Sequence, residues 1–292
     1  MNKVVLVTGA SSGIGMGAAL KFIDEGFTVY AAARRTELMA EISKKGGKVI
    51  KLDLCDSASI KDCVETIKEK EGRIDVLVNN AGFGLGGSIE DLPMEEVRKQ
   101  FDVNVFGLGE LTQKVLPVMR NQKSGRIINI SSMAGRFSSP FSGWYHATKY
   151  SVEAFSDALR MEVAPFGIKV VIIEPGMIQT DWGVIHGKNI RKYSGNTAYS
   201  ENANAAAKFY ETGYVNKNNL TDPKVISNLI VKTALVKNPK ARYSAGKMSK
   251  AYIFLKRILP DCLYDMATRL SLKIKAVSVE SVAQISNIHR KL

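Results

Sequence analysis

Six short runs of this chain are rich in apolar residues: VVLVTG, FTVYAAA, KVIKLDL, IDVLVNNAG, GRIINISS and IKVVIIEPG. A strand with one wet face alternates polar and apolar residues; these do not, so both faces need cover. Most of the runs are separated by stretches with helical periodicity, Ile14–Glu25, Ser57–Lys70, Met94–Arg120 (despite Pro117) and Tyr145–Val163. Strands buried on both sides and alternating with helices predict an α/β fold with a doubly wound parallel sheet over residues 1 to about 180. Beyond that the pattern blurs. Residues 183–222 are rich in Asn, Gly and Ser, with one helix expected in ENANAAAKFYETG. Asp222 is placed to cap a helix from Pro223 to Val236, KARYSA suits a last short strand, and Ala251–Lys275 reads as apolar helices with Pro260 between them.

The bulk numbers exclude several classes. At 292 residues and 45% hydrophobic content, the chain can build a large core. The opening MNKVVLVTGA is too short in apolar residues for a secretion leader, and no run approaches the roughly 18–20 residues of a membrane span. Cys55, Cys63 and Cys262 are odd in number and lack metal-ligand spacing, which suits free thiols in a reducing cytosol and no metal site. The net charge of +13 is uneven, because residues 239–292 carry eleven Lys/Arg against three Asp/Glu. A solvated basic face and peripheral contact with an anionic membrane both fit that asymmetry; no nucleic-acid motif accompanies it.

The first strand runs into T-G-A-S-S-G-I-G, Thr8–Gly15, and then directly into a helix. Gly9 permits the tight turn, Gly13 lets backbone approach a phosphate, and Gly15 lets the helix sit close on the sheet. Ser11, Ser12 and Ile14 complete the loop, and the helix N-terminus offers free N–H groups to a pyrophosphate. The strand–loop–helix context predicts a dinucleotide site here rather than an ordinary glycine turn. A literal G-x-G-x-x-G also occurs at Gly82, Gly84 and Gly87, but SIEDLP follows it instead of a helix, so a flexible loop at the mouth of the site is expected there. The second strand ends Ala31-Ala32-Ala33 and is followed by Arg34-Arg35. With no carboxylate for a ribose 2′-hydroxyl and two guanidiniums for a 2′-phosphate, NADP(H) is the expected cofactor, bound chiefly through Arg34.

Three Y-x-x-x-K pairs occur, at Tyr145/Lys149, Tyr243/Lys247 and Tyr252/Lys256. On a helix the spacing sets both side chains on one face, about 5–6 Å apart. Ten Tyr in a Lys-rich chain make the spacing weak alone, so context must decide. Carbonyl chemistry needs a second donor on the same oxygen, at the carboxyl end of a strand. Ser132 ends GRIINISS thirteen residues before Tyr145; the same step back from the other tyrosines reaches Ile230 and Pro239. Tyr145 and Lys149 are therefore the candidate acid–base pair, and the other two pairs are expected at the surface or in helix packing.

In this order TGASSGIG, Asp53, NNAG at 79–82, Asn104 in VNVFG, NISS, Tyr145-x-x-x-Lys149 and PGMIQT at 175–180 resemble the short-chain dehydrogenase/reductase family over residues 4 to about 182. The basic residue past the second strand resembles the NADP(H)-preferring branch, and AARR with a long C-terminal part is similar to hydroxysteroid and retinol dehydrogenases. The resemblance implies an oxidoreductase that interconverts a ketone or aldehyde with an alcohol. Tyr145 would exchange the proton, and the Lys149 ammonium would lower its pKa and bind the nicotinamide ribose. Ser132 would hold the substrate oxygen, and Asn104 would order a water linking Lys149 to solvent. Asp53 and Leu54 would meet adenine; Asn80, Ala81 and Gly82 would line the adenosine ribose. Pro175, Gly176, Ile178 and Thr180 would sit by the nicotinamide. His146 points about 100° around the helix from Tyr145 and is expected to be structural. One domain over 1–292 is implied, with 1–182 as the cofactor-binding and catalytic core and 183–292 as a helical, substrate-covering extension. A homo-oligomer, dimer or tetramer, is expected. An NADP(H)-sensing regulator is disfavoured because Ser132, Tyr145 and Lys149 are all present. A sugar-nucleotide epimerase is disfavoured because the glycines are spaced four and two apart. The substrate is an apolar carbonyl or alcohol if Met133, Phe137, Phe141, Trp144, Met177 and Trp182 line a pocket; packing as core is the equal alternative.

Overall fold

Every residue of the first strand, Val4–Thr8 (β1), is buried, with Val5 and Val7 on one face and Val4 and Leu6 on the other. The computed structural model describes residues 2–215 and 220–275. Its sheet adds β2 (Thr28–Ala33), β3 (Lys48–Lys51), β4 (Val76–Asn79), β5 (Gly125–Ile130), β6 (Ile168–Pro175) and β7 (Arg242–Ala245). The order is β3-β2-β1-β4-β5-β6-β7 and every pairing is parallel. The chain direction across the sheet reverses between β1 and β4, where such folds open a crevice beyond the strand ends.

The helices are α1 (Gly13–Asp24), α2 (Ala40–Lys44), α3 (Ser57–Glu71), α4 (Met94–Phe101), α5 (Gly107–Asn121), α6 (Gly143–Val163), α7 (Trp182–Ser194), α8 (Ser200–Val215), α9 (Pro223–Leu235), α10 (Ser249–Ile258) and α11 (Asp261–Ser271). One apolar layer joins Ala18 and Phe22 of α1 to Ile226 and Ile230 of α9 across the sheet. The other joins Ile60 of α3, Leu111 of α5 and Leu159 of α6. The doubly wound α/β fold is thus present, and β7 and α9–α11 lie where the sequence places them.

Four local expectations change. The third strand stops at Lys51, and Asp53 folds back on itself: its Oδ1 accepts from Cys55 N at 3.0 Å while its own N–H donates to Ser59 Oγ at 3.0 Å. Such an Asx turn competes with ladder hydrogen bonds and ends the strand. The helix expected over 94–120 is two helices joined by a π turn at Asp102–Phe106. The segment 183–222 contains two helices rather than one. The unforeseen one, α7, buries Gly183, His186, Gly187, Ile190 and Ser194, a face with helical period but few apolar letters. Finally, the Gly82–Gly87 loop is not a loose mouth but a close seat for α7. A Cβ at Gly84 would lie 2.5 Å from Trp182 Nε1, and one at Gly86 would lie 2.6 Å from the His186 carbonyl. Part of the basic C-terminal region, residues 276–292, lies outside the described residues, as do 216–219.

Candidate active site

A cleft of about 1020 Å³ runs along the carboxyl ends of the strands. All residues proposed above for cofactor or catalysis line it except Gly15 and Asn104, which stand just behind.

Its nucleotide end is built from backbone. Gly9 (φ +65°) and Gly13 (φ +56°) adopt the left-handed conformation that side chains disfavour. A Cβ at Gly15 would strike the Gly9 carbonyl and sit 2.5 Å from Asn80 Nδ2, so α1 reaches the sheet only because that side chain is absent. The Thr8 hydroxyl accepts from the N–H groups of Asn80 (3.0 Å) and Ala81 (3.1 Å), tying the ends of β1 and β4 together. Asn80 Nδ2 donates to Thr8 O at 2.9 Å. Ser12 at the start of α1 makes no side-chain cap, and the first turn holds no acid. Its N–H groups and partial positive charge thus stay available to a diphosphate. Arg34 and Arg35 are exposed at the rim, with Asp53 and Leu54 beside them. These residues fit a phosphorylated dinucleotide.

At the other end Tyr145, one turn into α6, is buried. Burial pushes its phenol up to about 12, opposed by a hydrogen bond with the Ser132 side chain. The structure therefore brings Tyr145 and Ser132 together from a helix and a strand end. Ser132 is held by its own turn, its Oγ accepting from Ala134 N at 3.1 Å. Lys149 is also buried, and desolvation brings its ammonium down to about 8 while Glu153 opposes. Its Nζ lies 5.9 Å from the Tyr145 ring centre and donates to the Ile130 carbonyl at 2.9 Å. Lowering of the phenol pKa by Lys149 is thus not found here: burial dominates, and the ammonium is turned to the end of β5. Asn104 occupies the π turn. It clamps residue 83 from both sides, Nδ2 donating to Phe83 O (2.9 Å) and Oδ1 accepting from Phe83 N (3.0 Å). π turns widen a helix by one residue and recur at functional sites. Behind Ser132, Arg136 pairs with the buried Glu174 at 2.9 Å, fixing the loop after β5 to the sheet, and Arg242 of β7 pairs with Glu153 of α6 at 2.9 Å.

The other Y-x-x-x-K pairs separate clearly. Tyr243 lies on a strand and accepts from Lys240 N at 2.9 Å. Tyr252 is a packing residue, stacked on Phe137 at 5.1 Å, although it also borders the cleft. His146 is held by Ala134 O (2.8 Å) and Ser139 Oγ (2.9 Å), and burial brings its pKa down to about 4. It packs and borders the cleft without reaching the nucleotide end. Of the six apolar candidates, Met133, Phe137, Met177 and Trp182 line the cleft, while Phe141 and Trp144 pack in separate clusters.

Sequence reasoning named Trp182 as a possible pocket residue but missed its partners in the roof, His186, Ser142 and Tyr210. Trp182 lies 5.1 Å from Tyr145 and stacks on His186 at 4.6 Å. Ser142 Oγ shares a 2.8 Å hydrogen bond with His186 Nε2 and meets the Tyr210 hydroxyl at 3.3 Å. Tyr264 and Leu272 of the last helical segment close the same chamber. The signal that could have found α7 is its repeat of small and polar residues, Gly183, His186, Gly187 and Ile190.

Comparison with known proteins agrees with this geometry. The family model described as short chain dehydrogenase matches residues 3–188. A probable short-chain type dehydrogenase/reductase of Helicobacter pylori is 39% identical over 91% of this chain and 97% of its own length. A 3-ketodihydrosphingosine reductase of Bacteroides thetaiotaomicron is 36% identical over 94% and 99%. Among solved structures, a closed form of serine dehydrogenase complexed with NADP+ superposes with a TM-score of 0.70 at 28% identity, covering 84% of this chain and 95% of that one.

Proposed function

The chain belongs to the short-chain dehydrogenase/reductase family of oxidoreductases, and from that premise we propose that it is an NADP(H)-dependent enzyme that interconverts an apolar ketone or aldehyde with its alcohol. The observation that carries the proposal is the cleft itself: a glycine cradle and Arg34 at one end, Ser132 and Tyr145 on one spot at the other. The structural relative bound to NADP+ and the relative named for a keto group on dihydrosphingosine support the cofactor and the carbonyl.

When bound, the reduced nicotinamide supplies the hydride. The residues of the chain do the rest. Ser132 and Tyr145 hold the carbonyl oxygen between two hydroxyls, which polarises it and stabilises the charge that develops there. The phenol, raised by burial, is protonated at neutral pH and gives its proton to the forming alkoxide. Lys149, anchored on Ile130 O within the cleft, would hold the nicotinamide ribose when the cofactor is bound. Asn104 fixes the loop at Phe83, keeping Gly82 close enough that a Cβ there would be 3.8 Å from Lys149 Nζ. Trp182 and Tyr210 exclude water from the reacting oxygen.

Residues 1–182 then serve as cofactor and catalytic core and the described residues of 183–275 as substrate cover. The cysteines recorded as free, Cys55 and Cys262 exposed and Cys63 buried, suit work in the reducing cytosol. The test is NADPH oxidation against a panel of ketones and aldehydes of increasing chain length. Turnover that rises with apolar length supports the reading; no turnover with any carbonyl refutes it.

A further inference from the structure

The hairpin of α10 and α11 carries two faces with different tasks. Its inner face borders the active-site cleft through Tyr252, Tyr264, Thr268 and Leu272. Its outer face is apolar again, and with helical period. On α10 the exposed residues include Ala251, Phe254, Leu255 and Ile258; on α11 they include Leu263, Met266, Ala267 and Leu270. Each set is spaced three, four and seven residues from its first member, one continuous stripe per helix. Phe254 is 60% exposed and Leu270 is 70% exposed, values a core residue does not have. Basic residues flank the stripes: Lys250, Arg257, Arg269 and Lys273 are all exposed. Residues 249–275 hold six Lys/Arg against two Asp. No helix among the described residues is long and apolar enough to cross a membrane.

We propose that the α10–α11 hairpin is a docking surface for an anionic lipid bilayer and that it sets the cleft mouth against the membrane, so that the carbonyl substrate is a long-chain amphiphile drawn from the lipid. The inference rests on the carbonyl-reductase reading for its substrate clause. An apolar stripe framed by Lys and Arg matches the interface of an acidic membrane, where the side chains enter the acyl boundary and the cations meet phosphates. A second copy of the chain fits less well, because a two-fold contact through this face sets one basic rim against another. The placement at the cleft mouth adds a reason for a lipid: a long apolar substrate leaves the bilayer and enters the chamber without crossing water.

The test is sedimentation of the full-length protein with vesicles of phosphatidylcholine alone and with phosphatidylglycerol added. Binding is expected to the acidic vesicles and to weaken with salt. Phe254→Asp and Leu270→Asp, which point away from the cleft, should each lower binding by about tenfold or more. Both should keep full NADPH oxidation with a short water-soluble ketone, and lose efficiency on a long-chain ketone presented in acidic vesicles. Failure of all three proteins on the soluble ketone, with acidic vesicles still bound by the parent and lost by the variants, would sink the reductase reading and leave the docking surface standing. No binding to acidic vesicles, or equal binding by the variants, overturns the proposal. So does a loss of dimer on the same substitutions without change in vesicle binding, which would make the occupant a second copy.

Discussion

The two ends of the cleft ask different things of glycine. At the nucleotide end, Gly9 and Gly13 turn the backbone at positive φ, and the missing Cβ atoms of Gly9 and Gly15 also let the ends of β1, β4 and α1 close on one another. At the substrate end, Gly84, Gly86, Gly183 and Gly187 clear space for the protein's own groups. A Cβ on Gly183 would collide with the Tyr214 ring, and one on Gly187 would lie 2.8 Å from Glu211 Cγ. The first end recognises a shared chemical object, a diphosphate, with groups every chain has. The second builds a private chamber from aromatic side chains that must fit one another. One end should therefore tolerate little change without losing the cofactor, while changes at the other should alter substrate use and stability but spare the cofactor.

The sharpest break in that comparison is Tyr145→Phe, which keeps the ring but removes the proton. Turnover should fall by roughly 10²–10⁴-fold, with NADPH affinity nearly unchanged in a fluorescence titration. Tyr243→Phe should stay near the parent rate, since that hydroxyl only accepts from Lys240 N. Next in size is Arg34→Ala at the nucleotide end. Loss of a charged hydrogen bond to the 2′-phosphate should weaken NADPH by about 1.5–3 kcal/mol and leave NADH alone. Equal losses for both cofactors would show that Arg34 does not read the phosphate.

Gly84→Ala tests the substrate end. Its Cβ would press on Trp182, so the denaturation midpoint should report a cost of about 1–3 kcal/mol. The KM for the ketone should rise while the NADPH Kd holds; a shift in the cofactor instead would merge the two ends. The smallest effect is on stability against pH. His146 is buried neutral, its pKa brought down to about 4 from an ordinary 6.5. Between those values the unfolded chain binds a proton that the folded one does not, so stability is complete above pH 6.5 and falls as the pH drops toward 4. His146→Asn, which can keep the donor to Ala134 O, should reduce that slope in urea titrations across the same window and leave the part due to His186, whose pKa burial lowers to about 3.

How far each end could be read from the sequence follows from the same contrast. The cradle at Thr8–Gly15, the Ser132 strand end and Tyr145/Lys149 are tied to positions along strands and one helix, and local sequence states those positions. The apolar runs of β1 and β4 announce the centre of the sheet because burial on both faces leaves no polar alternation, whereas β3 at the edge carries exposed Lys48 and Lys51. Helix α7 was hidden because its buried face, apart from Ile190, is made of glycine, histidine and serine. Its fit depends on Trp182 meeting Gly84, almost a hundred residues earlier in the chain, and no local pattern records such a meeting. The π turn at Asn104 was hidden for a related reason: it differs from a plain helix by one extra residue inside an uninterrupted helical period. The direction of the Tyr145 shift was misjudged because spacing reveals the charged neighbour but not the depth of burial.

The central claim is that hydride passes to a carbonyl carbon held at Ser132 and Tyr145. The direct measurement uses NADPH carrying deuterium at its reactive nicotinamide carbon, an accepted ketone, and mass analysis of the alcohol formed. The account predicts one deuterium on the carbinol carbon with the unmodified protein, and labelled alcohol formed roughly 10²–10⁴-fold more slowly with Tyr145→Phe. Label that appears in water instead, or an equally labelled alcohol from Tyr145→Phe at the parent rate, would contradict it.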